Sequence, residues 1–330
     1  MRSVPAVITI DTEPDNQWDT TPAGLTFRNT QELSRLHDAI RGEAFLPTYL
    51  VTYSVARDER SRELLRGWLE AGECEIGAHL HAWETPPLWC DQPQVHTYIY
   101  EYPTEVRREK LRVLSEQLRE SFGIEPRSYR AGRWGIDAAE IAHLAELGYV
   151  VDTSVVPGVS FRRAVGRAAR GPNFAPLLGR RVTQFPLEAA AAQPQLREVP
   201  VSTAPLGALR GPRAARVTAT LAWSLPTPLA RVAAKGLKVC RLLNVAWLRP
   251  GMSSPVAMQQ VADWHRRQGT DPLNLAFHSS EAALHTSPLT ATEQGLERFY
   301  ADLRGILAYV RDRHEVSGAT LSAATSSSLS

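Results

Sequence analysis

The chain has little sulfur chemistry to offer. Its three cysteines, Cys74, Cys90 and Cys240, are odd in number and form no CxxC pair. That argues against a cysteine metal site and a disulfide framework, and all three read as reduced and buried, as in a cytoplasmic protein. No run of about 18 apolar residues occurs, so no membrane-spanning helix is expected. The opening "MRSVPAVITIDT" has too short an apolar run for a signal peptide and leads directly into a strand. Acid is locally scarce as well. Residues 153–262 hold fifteen Arg or Lys and only Glu188 and Glu198 as acids, so this segment is near +13 in a chain of net charge +2. A solvated Arg-rich surface is one reading. A face for phosphate-bearing substrate or anionic lipid is the other. No nucleic-acid partner is expected.

What is present is alternation. Strands are predicted at 6–11, 47–53, "CEIGAHLHAW", 127–130, 149–155, 198–201, 273–278 and 317–321. Helices are predicted near 30–42, 58–71, 104–122, from "DAAE" onward, 255–268 and 291–313. Asp137 and Glu140 have capping-box spacing. Such strand–helix units predict an α/β fold with a parallel, buried sheet, open or closed into a barrel, and ligands at the C-terminal strand ends. The expected organisation is one domain over 1–322, with a basic insertion around 157–255 and a disordered tail at 323–330.

Polar residues cluster at five strand ends: Asp11 and Glu13 in "TIDTE", His79 and His81 in "EIGAHLHAW", Arg130 in "SYRAGRWG", Asp152 in "GYVVDTSV", and His278 in "LNLAFHSSE". Asp11 and Glu13 are two apart and leave a strand on one face, as do His79 and His81. Carboxylates, imidazoles and a guanidinium at converging strand ends are a metal-hydrolase inventory. Trp83, Arg133 and Trp134, at the same ends, are candidate substrate contacts. Each also has a bland reading: a solvated strand end, a satisfied core histidine, an arginine paired to a helix carboxylate, or, for Asp152, the cap of a turn.

The ordered set resembles the polysaccharide deacetylase family, that is, the NodB-homology domain of carbohydrate esterase family four. Its motifs of T-F-D-D-G, H-x-x-x-H, R-x-P-Y, a later Asp and L-x-x-H stand here as "TIDTE", "EIGAHLH", "YRAGRW", "VVDTSV" and "LAFH". The match runs from residue 6 to about 320. The chain departs from the pattern in three places: Asp-x-Glu replaces Asp-Asp, the second His falls at +2, and the Pro of the third motif is missing. The resemblance implies a distorted (β/α) barrel that hydrolyses an acetamido group on a sugar. It implies a divalent metal, expected to be zinc, on Glu13, His79 and His81, with Asp11 as base and His278 as acid. Arg130 would hold Asp11 ionised, and Asp152 is the candidate carboxylate partner of His278.

One stretch stands apart. "PLARVAAKGLKVCRLLNVAWLRPG" places Arg231, Lys235, Lys238 and Arg241 at helical spacing, with Leu237, Val239, Leu242 and Leu243 between them. This predicts a basic amphipathic helix, either packed on the barrel or lying through 229–243 on an anionic inner leaflet. The expected substrate is an acetamido sugar of a bacterial glycan or its precursor, lipid- or nucleotide-linked, handled in the cytoplasm or at the inner face of the membrane. Two other readings are another metal-dependent amide or phosphoester hydrolase and a non-catalytic glycan-binding relic. The presence of both Asp11 and His278 speaks against the relic.

Overall fold

A computed structural model describes residues 5–16, 24–89, 96–162, 170–179, 196–224, 227–269, 272–314 and 316–326. Strand β1 (Pro5–Thr12) is buried along nearly its whole length, as an apolar strand covered on both faces must be. It pairs in parallel with β2 (Pro47–Val51) on one side. The order continues through β3 (Glu75–Leu80), β4 (Ser128–Ala131), β5 (Val151–Asp152) and β6 (Arg197–Glu198). A hairpin of β7 (Thr203–Leu206) and β8 (Asn244–Trp247) stands outside this sheet. Strand β9 (Leu273–His278) returns to the other side of β1, and β10 (Ser317–Gly318) pairs with the foot of β1.

The sheet curls until its far edges meet. Beyond β6, the Ser202 amide donates to the Asn274 carbonyl at 3.0 Å, and the Asn274 amide donates to Ser202 Oγ at 2.9 Å. The Asn274 side chain donates to Thr153 Oγ1 (2.7 Å) and accepts from Thr9 Oγ1 (2.9 Å), joining three strand regions inside the barrel. The result is the expected distorted (β/α) barrel.

Helix Thr104–Phe122 buries Leu111, Leu114, Leu118 and Phe122 as its period predicts, and it stops at Gly123, whose φ of 67° is left-handed. Asp137 caps the helix Ala138–Glu146 by accepting from the Glu140 amide at 2.9 Å. Only that half of the predicted capping box forms, because the Glu140 carboxylate is turned inward to accept from Tyr129 Oη at 2.9 Å.

Several expectations need correction. The strand predicted at 149–155 is only Val151–Asp152, because Asp152 accepts from the Ser154 amide and hydroxyl and turns the chain. The tail is not disordered from 323: Leu321–Ser326 is helical, with Leu321 and Ala324 packed against Val7, Val151 and Val199. Residues 327–330 lie outside the described residues. Cys74 is buried but Cys240 is exposed, and Cys90 lies outside the described residues.

Burial pushes the Glu140 carboxyl up to about 8, against an ordinary value of 4.5. A group whose folded-state pKa is raised stabilises the fold most at low pH, and that contribution is lost as pH rises from about 4.5 to about 8. Glu140→Gln should therefore gain stability relative to wild type across that window. Urea denaturation at pH 5 and pH 9 checks this; a difference between the two proteins that does not change with pH contradicts it.

Candidate metal centre and active site

Strand register builds the site. Asp11 is paired beside His278 across β1 and β9, and His79 beside Arg130 across β3 and β4. All four stand at the C-terminal rim, where parallel strands end and side chains turn inward. Glu13 follows β1 by one residue; its carbonyl accepts from Asn29 Nδ2 at 2.8 Å, which fixes the chain there.

Glu13 Oε2 lies 3.0 Å from His81 Nε2 and 3.6 Å from His79 Nε2, and the two Nε2 atoms are 3.1 Å apart. All three side chains are buried. Ligands bound to zinc at about 2.0–2.1 Å in a tetrahedron are spaced about 3.3 Å from one another. The three atoms thus fit one cation, and two nitrogens with one carboxylate oxygen suit zinc or a similar divalent ion. His79 Nδ1 sits 3.0 Å from the Arg130 carbonyl, to which it donates, leaving the Nε2 lone pair facing the cage. His81 stacks on Trp83 with ring centroids 4.2 Å apart. Glu13 Oε1 is buried with no hydrogen-bond partner among the described residues, as expected of an oxygen aimed at a ligand.

Arg130 is fully buried beneath this cage. One of its terminal nitrogens donates to Asp11, Nε donates to the Thr153 carbonyl at 3.0 Å, and Nη2 donates to Thr9 Oγ1 at 2.6 Å. Burial alone would raise the Asp11 pKa, but Arg130, with His79 and His278, more than reverses this and holds the carboxyl below its usual value. Glu13 is held low in the same way, burial being overcome by His278 and the two other histidines.

His278 Nε2 faces both acids, 3.5 Å from Asp11 Oδ2 and 3.6 Å from Glu13 Oε1. Its other nitrogen, Nδ1, lies 2.7 Å from Arg249 Nη2 and 3.3 Å from Glu281 Oε1, and Arg249 and Glu281 are themselves ion-paired. Burial would lower the His278 pKa. Glu13 reverses that, Arg249 opposes the reversal, and Glu281 and Asp11 add to it, so the net direction is upward.

Asp152 does not meet His278. It is buried near Glu198 and Ser154, where loss of water raises both carboxyl pKa values. The carboxylate beside His278 is Glu281. Its signal was in the sequence, three residues on in "HSSE", on a short turn Ser279–Ala282 that folds position i+3 back onto the imidazole. Arg249 gave no comparable signal, since it arrives from beyond β8. Asp15, two residues past Glu13, accepts from Thr26 Oγ1.

Above the cage is a pocket of about 170 Å³ lined by Asp11, Glu13, His79, His81 and His278, and walled by Trp83, Tyr98, Arg133, Trp134 and Phe161. Arg133 and Trp134 both take left-handed backbone, φ 53° and 62°, which is costly for residues with a side chain. Gly132 precedes them because a Cβ there would meet the Leu80 carbonyl at 2.5 Å. Arg133 lies 4.5 Å over the Tyr98 ring, and Trp134 packs 5.1 Å from the Arg130 guanidinium.

No family model matches this sequence, and no relative is found among curated proteins. Solved structures do match. A proposed polysaccharide deacetylase from Mycobacterium smegmatis is 17% identical and superposes with a TM-score of 0.52 over 97% of this chain and 89% of that one. The chain has the polysaccharide deacetylase fold. More distant likenesses are a family 4 carbohydrate esterase from Streptomyces lividans (9% identity, TM-score 0.45, covering 96% and 93%) and a peptidoglycan deacetylase from Bacillus subtilis (11%, 0.42, covering 99% and 93%). Those two are too remote to carry weight.

The geometry around His278 yields a test in the metal-free protein. Glu281→Gln should lower the imidazole pKa, because it removes an anion and frees Arg249 to repel the charged ring. Asp152→Asn should leave it in place. An imidazole NMR titration of the two variants reads this directly; a drop in the Asp152 variant alone reverses the assignment.

Proposed function

We propose that the protein is a metal-dependent carbohydrate N-deacetylase of the polysaccharide deacetylase family, removing the acetyl group from an acetamido sugar. The observation that carries this reading is the buried cage of Glu13, His79 and His81 with Asp11 on one side and His278 within reach of both acids. A divalent cation held there, zinc in our reading, would polarise the acyl carbonyl and make a water molecule more acidic.

The chain's own groups divide the proton traffic. Asp11, kept ionised by Arg130, takes the proton of the attacking water. His278 delivers a proton to the departing amine, which leaves poorly as an anion, and its raised pKa favours the charged form that can do so. Glu281, itself ion-paired to Arg249, accepts from Nδ1–H of the charged ring, so that Nε2 points into the pocket. The small volume admits an acyl group rather than a large one, and Trp83, Tyr98, Trp134 and Phe161 offer flat apolar faces of the kind that stack on a sugar ring. The reading includes action in the cytoplasm or at the inner face of the membrane, on an intracellular glycan precursor.

Acetate release from a panel of free, nucleotide-linked and lipid-linked acetamido sugars tests the activity; release of ammonia or phosphate instead would point to a different hydrolase. Asp11→Asn should keep the metal yet lose about 10²–10⁴ in kcat, and His278→Ala should do the same with little change in KM. Glu13→Ala should lose both metal and rate. Metal analysis beside kinetics checks the division: an Asp11 variant stripped of metal while the Glu13 variant keeps it would exchange the two roles.

A further inference from the structure

Beside the metal pocket lies a second cavity that the chemistry above does not use. It measures about 380 Å³, in the range of sites that hold organic ligands. It sits between helices Pro212–Ser224 and Thr227–Val239, which pack on each other, and β8. Its wall is apolar: Val159, Ala219, Ala222, Ala234, Leu237 and Val245 supply most of it. Among the described residues, Lys235 and Lys238 are the charged ones in the wall, and both are exposed, so their stems line the cavity while the ammonium groups reach water.

Packed aromatic rings stand between the cavity and the metal pocket. Trp247 lines the cavity, Trp134 lines the metal pocket, and the two stand edge-to-face with centroids 6.1 Å apart. Val159 and Phe161, two residues apart in one segment, likewise face the two spaces. A single ligand spanning both would place a small acyl-bearing group by the metal cage, an apolar tail between the helices, and negative charge near Lys235 and Lys238.

The helices themselves show a second feature of the same kind. Leu229, Val232 and Val239 form one stripe on Thr227–Val239, and Val217 and Leu221 stand one turn apart on Pro212–Ser224; all five are between 56% and 71% exposed. The predicted basic amphipathic helix is therefore split differently from expectation. Leu237 and Leu243 face inward to the cavity, whereas Val239 and Leu242 face out. The Arg231 side chain lies outside the described ones. Exposed aliphatic side chains beside cations, in a segment with almost no acid, match an anionic lipid surface in both apolarity and charge.

We infer that the substrate is a lipid-linked acetamido sugar, whose isoprenoid or acyl chain enters the cavity between the two helices, with its phosphate held by Lys235 and Lys238. The inference deepens the deacetylase reading and rests on it. The test uses full-length, metal-free protein and farnesyl phosphate, with binding followed by the fluorescence of Trp247 and its neighbours and by calorimetry. Each buried methylene adds roughly fourfold in affinity, so farnesyl phosphate should bind at least ~100-fold tighter than methyl phosphate. The exposed pair Lys235→Glu with Lys238→Glu should weaken binding about tenfold or more without touching the core, and Ala234→Trp, which fills the cavity, should weaken it further. Equal binding of farnesyl and methyl phosphate overturns the inference, as does farnesyl phosphate binding that neither variant weakens, or binding of uridine diphosphate in its place. Failure of the deacetylase reading looks different: farnesyl phosphate binds as described, yet the metal-loaded protein releases acetate from no acetamido sugar.

Discussion

The contact between Arg130 and Asp11 is the one on which the rest of the barrel's mouth depends. A guanidinium with no solvent exposure is tolerable only when its charge is met and its donors are occupied. Here the charge is met by Asp11 and the donors by Thr9 and Thr153, so β4 is tied to β1 and to the segment after β5 through one side chain. Removing one partner from such a buried pair typically costs about 3–5 kcal/mol, because the other is left charged and dry. The same pair sets the chemistry: it keeps one carboxylate ionised next to a second one. Its backbone contributes too, since the Arg130 carbonyl selects the tautomer of His79.

Two acids so close would ordinarily push one of their pKa values up. The neighbours prevent this by placing a permanent cation under Asp11 and three imidazoles around the pair. Glu13 is committed to the histidines and Asp11 to the arginine, so the two carboxylates have separate partners while sharing one cavity. A different solution appears lower in the barrel. For Asp152 and Glu198, burial outweighs the pull of the same Arg130, and both carboxyls are pushed up instead.

Periodicity made much of this legible. The apolar runs before Asp11, His79, Arg130 and His278 mark strands, and the rule that ligands gather at strand ends places their polar residues together. Spacing of two put Glu13 beside Asp11 and His81 beside His79. What stayed illegible was what depends on tertiary approach. Arg249 reaches His278 from an excursion whose length no local pattern encodes. Asp152 looked like a fifth member of the set because it too follows an apolar run, yet β5 ends after two residues and its side chain is spent on its own turn. Glu281 was passed over for the opposite reason: its relation to His278 is local, but belongs to a helical turn rather than to a strand.

The seam beside Asn274 has a consequence for how the fold can change over time. Every residue of the metal cage, and both groups flanking it, are carried on or just beyond β9, β1, β3 and β4, which belong to one uninterrupted run of paired strands. The seam lies on the opposite side, and the β7–β8 excursion with its two helices is inserted there. Such an arrangement separates two kinds of heritable variation. The excursion can lengthen, shorten or change its surface with the reacting groups still in register, whereas an insertion between β1 and β4 would pass directly through them. Change in the excursion is therefore most readily accommodated, with the cluster of Asp11, Glu13, His79, His81 and His278 kept intact.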